Sequence, residues 1–341
     1  MDALDLESVA RALVARGKGI LAADESLPTI AKRFGALGIE NTGEHRRLYR
    51  QMLFTTQGIS DFISGVILFD ETIRQKADDG TPFPDLLTRQ GILPGIKVDK
   101  GTKPLAGAAD EVVSEGLDGL RERLGEYKAL GARFAKWRAV IAIGSGLPSA
   151  ACLEANAHAL ARYAASCQET GLVPIVEPEV LMDGDHTIER CFEVTEATLY
   201  TVFAALRHQR VVPEAMLLKA SMVLAGKSCP RQAGVEEVAA ATIRCLKRTV
   251  PAAVPGVVFL SGGQTDVLAT AHLNAMNAEG GPHPWALSFS YGRALQAAAM
   301  TAWKGQPALV AAGQRALYHR ARCNGAARDG RYTPELERAI I

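Results

Sequence analysis

VPIVEPEV (173–180) is apolar at every position except two, Glu177 and Glu179. A strand buried in a parallel sheet should read as an unbroken apolar run. Side chains two apart on a strand share a face, so both carboxylates point the same way. The pattern continues outward. FAKWRAV (134–140) carries Lys136 and Arg138, MLLKAS (216–221) carries Lys219, and GIKVD (95–99) carries Lys97 and Asp99. Buried structural ion pairs, or misregistered strands, are the competing reading. Four successive strands count against it, because each buried charge is costly without a partner or a task. Pro178 removes a ladder donor, which fits a strand that is already ending there.

GILAAD (19–24), ISGVILF (63–69), VVFLSGG (257–263) and ALSFSYG (286–292) bring the strands to eight. Helical stretches lie between strands, including Leu117 to Leu130, Ala151 to Gln168, Glu189 to Arg207, Val235 to Leu246 and Ala294 to Trp303. Strand alternating with helix implies parallel pairing with right-handed crossovers. Eight such units suggest an α/β fold, a closed (β/α)8 or TIM barrel, whose active site lies at the C-terminal mouth. From Lys97 to Lys136, Glu177, Lys219 and Ser261, polar strand residues recur about every 40 positions, a plausible βα unit. No linker divides the chain, so residues 1–341 are expected to form one barrel domain. It would have an N-terminal helix (Leu6, Val9, Ala10, Leu13, Val14, stopped by Gly17) and a short C-terminal tail.

The 341 residues are 48% hydrophobic and carry a net charge of +1. That is ample for a buried core and gives no electrostatic case for nucleic acid or a membrane surface. No apolar run reaches the ~18–20 residues of a membrane span. The acidic N-terminus (Asp2, Asp5, Glu7) is not a signal peptide, and the six cysteines form no CxxC. A cytoplasmic protein with reduced thiols is expected.

The charges suggest a reaction. A lysine amine attacks a carbonyl only when neutral. A second cation ~4 Å away opposes its protonation by ~4 kcal/mol at an effective dielectric of 20. Lys136 and Arg138 are expected to supply that cation for Lys219, with Glu177 and Glu179 as candidate proton shuttles. Ser261-Gly262-Gly263 ends the seventh strand, and Ser290-Tyr291-Gly292-Arg293 joins the eighth to its helix. Glycines admit an anion to backbone N–H groups, and barrels of this kind often bind phosphate at these two loops.

GKGILAADES (17–26), GIKVDKG (95–101), FAKWR (134–138), VPIVEPE (173–179), LLK (217–219), LSGGQ (260–264) and SFSYGRAL (288–295) together resemble class I fructose-1,6-bisphosphate aldolase. The likeness runs from about Gly17 to Thr333. It implies a (β/α)8 barrel that reversibly cleaves fructose 1,6-bisphosphate to dihydroxyacetone phosphate and glyceraldehyde 3-phosphate, in glycolysis and gluconeogenesis. No metal or cofactor is implied, and a cytoplasmic homotetramer is. By resemblance Lys219 forms the Schiff base and Glu177 shuttles protons. Asp24 takes the substrate hydroxyl proton, Lys136 stabilises developing charge and Glu179 holds the lysines. Ser261, Gly262, Gly263, Gly292 and Arg293 would take one phosphate, with Ser290 close by. Ser26, Arg33 and Lys97, with Arg138, would lie toward the other.

Three departures stand out. Ala220 and Ser221 follow Lys219 where the family usually has Pro-Asn. Leu27, Pro28 and Thr29 follow Ser26 in place of Thr-Gly-Ser, making Thr29 the substitute contact. No tyrosine ends the chain, so proton exchange at the enamine carbon is expected to fall to a barrel residue such as Glu177 or to a bound water. Glu335 and Glu337 would reach the mouth only if the tail folded back.

Two rival motifs read less well. Gly144 to Ala150 fits a dinucleotide fingerprint, but the strand before it carries Lys136 and Arg138, and Pro148 marks a helix start. Asp183-Gly184-Asp185-His186 lacks a second histidine at ligand spacing and reads as a loop and helix cap, not a metal site.

Overall fold

The inner face of the barrel explains the odd strands. In this computed structural model, which describes residues 3–108, 110–278 and 281–338, eight parallel strands close on themselves. They are β1 (Gly19–Ala23), β2 (Ile63–Leu68), β3 (Leu93–Lys97), β6 (Phe134–Ile141), β7 (Val173–Val180), β8 (Leu217–Ala220), β9 (Gly256–Phe259) and β10 (Ala286–Tyr291). They neighbour one another in that order, and β10 pairs back onto β1. The remaining two, β4 (Thr102–Pro104) and β5 (Val112–Ser114), form an antiparallel hairpin between β3 and β6. The sequence reading did not contain that hairpin. Its strands are three residues each, too short for a period to show.

Four inward-facing rows start apolar and end polar. Ile20 and Ala22 lead to Asp24, Phe134 to Lys136 and Arg138, Val173 and Ile175 to Glu177 and Glu179, and Leu217 to Lys219. The apolar members form one small core with Ile67 and Val258, with Leu6, Val9, Ala10 and Leu13 of the N-terminal helix (Ala3–Leu13), and with Val14 just after it. That helix plugs the bottom of the barrel. The opposite strand faces pack against the surrounding helices as a second, larger core. One end is hydrocarbon and the other is charged.

Pro178 does not end β7, which runs on through Val180 beside β6. The reason lies in which side each backbone N–H faces. Val173 N donates to Arg133 O and Leu181 N to Ile141 O, so odd positions face β6 and even ones face β8. The ladder to β8 joins only Ile175 to Leu217 and Val176 to Leu218. Pro174 and Pro178 flank it, where no donor is wanted. At the next even position Val180 N bonds Ser221 Oγ at 3.1 Å.

Other boundaries shift modestly. GIKVD enters the sheet earlier and leaves at Lys97, and β9 stops at Phe259, so Ser261-Gly262-Gly263 is loop. The helix after Pro148 begins at Ala150 with Ser149 as cap, its Oγ accepting from Cys152 N. Thr187, rather than any residue of Asp183-Gly184-Asp185-His186, caps the helix Ile188–His208. All six cysteines are free and buried. No helix among the described residues is long and apolar enough to cross a membrane.

Phe134 occupies the barrel floor only because Gly95 has no side chain: a Cβ there would lie 2.3 Å from its ring. Gly95→Ala is therefore expected to lower stability by about 1–3 kcal/mol, the usual range for overpacking a core. Gly125→Ala is the control, since nothing lies within 4 Å of a Cβ there and the residue is helical. Urea unfolding should show the first loss and none for the second.

Candidate active site

A cavity of about 1020 Å³ opens at the C-terminal mouth. Its walls include Asp24, Ser26, Arg33, Lys97, Lys136, Arg138, Glu177, Glu179, Lys219, Ser261, Gly262, Ser290, Gly292 and Arg293. Of the residues expected at the site, Gly263 alone is missing from the walls; it stands one position behind Gly262.

At the bottom, Glu177 lies between two ammonium groups. Its Oε1 is 3.1 Å from Lys219 Nζ and its Oε2 is 3.1 Å from Lys136 Nζ, without hydrogen-bond alignment for the second contact. Lys136 Nζ also lies 2.8 Å from Asp24 Oδ2. β7 therefore stands between the two lysines, which are not on adjacent strands. The expected cation beside Lys219 is present only with a carboxylate interposed. Burial opposes the charge on Lys136, but Asp24 and Glu177 overcome it and hold the lysine above its ordinary pKa. For Glu177 burial again opposes ionisation, and Lys136 and Lys219 outweigh it, so this carboxyl is held below its usual range. Asp24 follows the same balance: burial raises it, the two lysines lower it, and the outcome is about 2. Lys136, Glu177 and Asp24 are thus held in their charged forms, and lysine alternates with carboxylate across the floor of the cavity.

A second tier surrounds this group. Arg138 pairs with Glu179, and Lys97 Nζ lies 2.5 Å from Asp99 Oδ1. Asp99 Oδ2 accepts from Arg138 N at 3.1 Å, which ties the end of β3 to β6. Glu179 contacts Arg138 rather than either lysine, contrary to the expectation that it holds the lysines directly. Ser26 Oγ lies 3.0 Å from Thr29 Oγ1. The substitute threonine therefore faces the cavity beside the serine it accompanies.

The phosphate loops have the expected form. Gly262 and Gly263 adopt φ of 59° and 101°, so two successive residues take a left-handed backbone that glycine accepts readily. Ser290 Oγ is buried with no hydrogen-bond partner among the described residues. Gly292 caps the helix Arg293–Trp303, and a Cβ there would press on Ala22 O at 3.4 Å. Behind Gly263, Gln264 Oε1 is 2.6 Å from Nδ1 of His272. Burial pushes that imidazole down to about 4, so it is neutral and donates from Nδ1.

Sequence reasoning missed the support under Arg33. Glu25 is buried and contacts Arg33, Arg50 at 2.5 Å, and Gln296 at 2.9 Å. Gln296 also bonds Ala22 O at 2.6 Å. The signal was a second carboxylate next to Asp24, but its partners stand 8 to 271 positions away, and no spacing rule reaches that far. At the other end of the chain, Glu337 is engaged by Arg320 and by Tyr332 Oη at 2.8 Å, away from the cavity. Residues 339–341, the last of the tail, lie outside the described residues.

Comparison with known proteins supplies the family. The family described as fructose-bisphosphate aldolase class-I matches residues 5–340. The chain belongs to the class I fructose-bisphosphate aldolases. It is thereby a lyase. A "Probable fructose-bisphosphate aldolase class 1" of Xanthomonas campestris pv. campestris is 63% identical over 328 residues, covering 96% of this chain and 98% of the relative. The fructose-bisphosphate aldolase of Dictyostelium discoideum is 54% identical over 334 residues, covering 97% and 93%. Among solved structures, the Plasmodium falciparum aldolase in complex with TRAP and a small-molecule inhibitor superposes with a TM-score of 0.96. It is 50% identical, with 97% of this chain and 96% of that chain covered.

The depressed carboxyls of this aldolase carry a pH signature. Asp24 is near 3.8 when unfolded and about 2 when folded, so the stability it contributes is present above pH ~4. It is lost as pH falls through the folded value. Asp24→Asn should therefore lose stability less steeply than the native protein between about pH 4 and 2. Denaturant midpoints measured across that range check it, and parallel curves would contradict the coupling.

Proposed function

We propose that the enzyme cleaves fructose 1,6-bisphosphate reversibly, through an imine on Lys219, to dihydroxyacetone phosphate and glyceraldehyde 3-phosphate. The observation that carries this reading is the sharing of Glu177 by Lys219 and Lys136, with Asp24 on the far side of Lys136, on the floor of a cavity of about 1020 Å³. Moving one proton from Lys219 to Glu177 yields the neutral amine and a carboxylic acid 3.1 Å apart. The amine attacks the ketose carbonyl. Glu177 then protonates the hydroxyl of the carbinolamine, water leaves, and a cationic imine remains. Lys136 stays charged throughout because Asp24 is still beside it. Asp24, a carboxylate even in mild acid, accepts the hydroxyl proton whose loss breaks the carbon–carbon bond. The aldehyde product departs and the enamine is left to be protonated and hydrolysed.

In this reading Ser261, Gly262, Gly263, Gly292 and Arg293, with Ser290, take one phosphate. Ser26, Thr29, Arg33, Lys97 and Arg138 face the other. Glu179 positions Arg138. Glu177 or a bound water performs proton exchange at the enamine carbon. Family membership supports a single barrel domain acting as a cytoplasmic homotetramer in glycolysis and gluconeogenesis.

Borohydride reduction in the presence of dihydroxyacetone phosphate should attach the three-carbon unit to Lys219, found by mass spectrometry. An adduct elsewhere, or no adduct together with turnover abolished by chelators, would sink the imine mechanism. Glu177→Gln keeps the shape and loses the proton. Turnover should fall ~10²–10⁴-fold while KM changes far less, as for a general acid–base. A small drop would transfer the shuttle to Glu179 or Asp24.

A further inference from the structure

The segment Asp183-Gly184-Asp185-His186 has no part in the chemistry above, yet it is tightly laced to the loop after β8. Gly226 N donates to His186 O at 2.8 Å, Lys227 N to Met182 O at 2.8 Å, and Ser228 N to Gly184 O at 2.9 Å. A Cβ on Gly226 would fall 2.3 Å from Gly184 O, so only glycine lets the two loops approach. Successive backbone bonds therefore fix where the Lys227 side chain leaves the chain.

That side chain leads to the phosphate loop. A Cβ on Gly263 would meet Lys227 Nζ at 3.2 Å and a guanidinium nitrogen of Arg293 at 3.3 Å. Two cations thus converge on a turn made of two successive left-handed glycines. Arg293 lines the cavity. Lys227 is held 2.9 Å from Asp183 Oδ1, with the two side chains 44% and 65% exposed. An ion pair that open to water is weak, so the ammonium exchanges it for a better anion at little cost. A phosphate dianion on the neighbouring turn is that better anion.

We propose that Lys227 is a further phosphate-binding residue of this site, its ammonium leaving Asp183 to join Arg293 on the phosphate held at the Gly262–Gly263 turn. The inference rests on the phosphate role of that turn proposed above. It gives the loop after β7 a task, which is to clamp the lysine-bearing loop against the turn. It also explains why Gly263 has no side chain although it does not line the cavity: the space is taken by the ends of two basic residues.

The test is steady-state turnover of fructose 1,6-bisphosphate by the full chain, with competitive inhibition by inorganic phosphate, in Lys227→Met, Lys227→Arg and Arg293→Ala. Lys227→Met should raise KM and weaken phosphate inhibition about 3–10-fold, with kcat within about two-fold of native. Lys227→Arg should recover most of both. Unchanged KM and phosphate inhibition in the methionine variant, or an arginine variant equally impaired, would overturn the assignment. Arg293→Ala separates the two readings. Retained phosphate inhibition there overturns the role of the turn itself, whereas its loss without an effect at Lys227 overturns only the lysine. Urea midpoints report whether each variant folds as the native chain does. Should Lys227→Met fail that check, Lys227→Gln carries the same expectation.

Discussion

Glu177 stands 3.1 Å from each of two ammonium groups in the interior of a protein, and the rest of the site is arranged around keeping that placement affordable. A lone buried carboxylate would take up a proton, and a lone buried ammonium would lose one. Alternation of Asp24, Lys136, Glu177 and Lys219 removes both escapes. Each charge has an opposite neighbour, and solvent reaches the set only from the mouth. The cost of dismantling such a set falls on whichever partner is left behind, typically ~3–5 kcal/mol for one stranded charge. Substitution at any of the four therefore disturbs the folded state as well as the chemistry, and the two effects have to be measured separately.

The alternation depends on strand register. β7 carries Glu177 level with Arg138 on β6, and the short ladder to β8 sets Lys219 beside it. A slip of one residue would turn every charge toward the helices. The prolines on either side of the β7–β8 ladder and the Ser221 clip at Val180 limit that ladder to the length the site needs.

Much of this was legible in the sequence because charge in an apolar strand is conspicuous. Lys136, Glu177 and Lys219 declared themselves by their surroundings, and the parity of strand positions put them on one side. The three-dimensional order of the lysines did not follow, since periodicity tells which face a residue takes and not what sits between two faces. The buried support of Arg33 was invisible for a related reason: Glu25, Arg50 and Gln296 come from three distant parts of the chain. The β4–β5 hairpin is too short to carry a pattern. Pro178 was read as a stop because the rule against proline in a central strand assumes ladders on both sides along the whole strand.

The hydrocarbon plug at the barrel floor has an electrostatic consequence at the other end. Phe134, Ile175 and Leu217 line the inside just below the charged residues, and the N-terminal helix closes the axis beneath them. Polarisable solvent can therefore respond to the charges from one direction only. When a sugar phosphate settles into the mouth it covers that direction, and the local dielectric drops around every pair at once. The ligand thus strengthens the field it enters. Electrostatic interactions that solvent moderated at the open mouth sharpen once the ligand is seated.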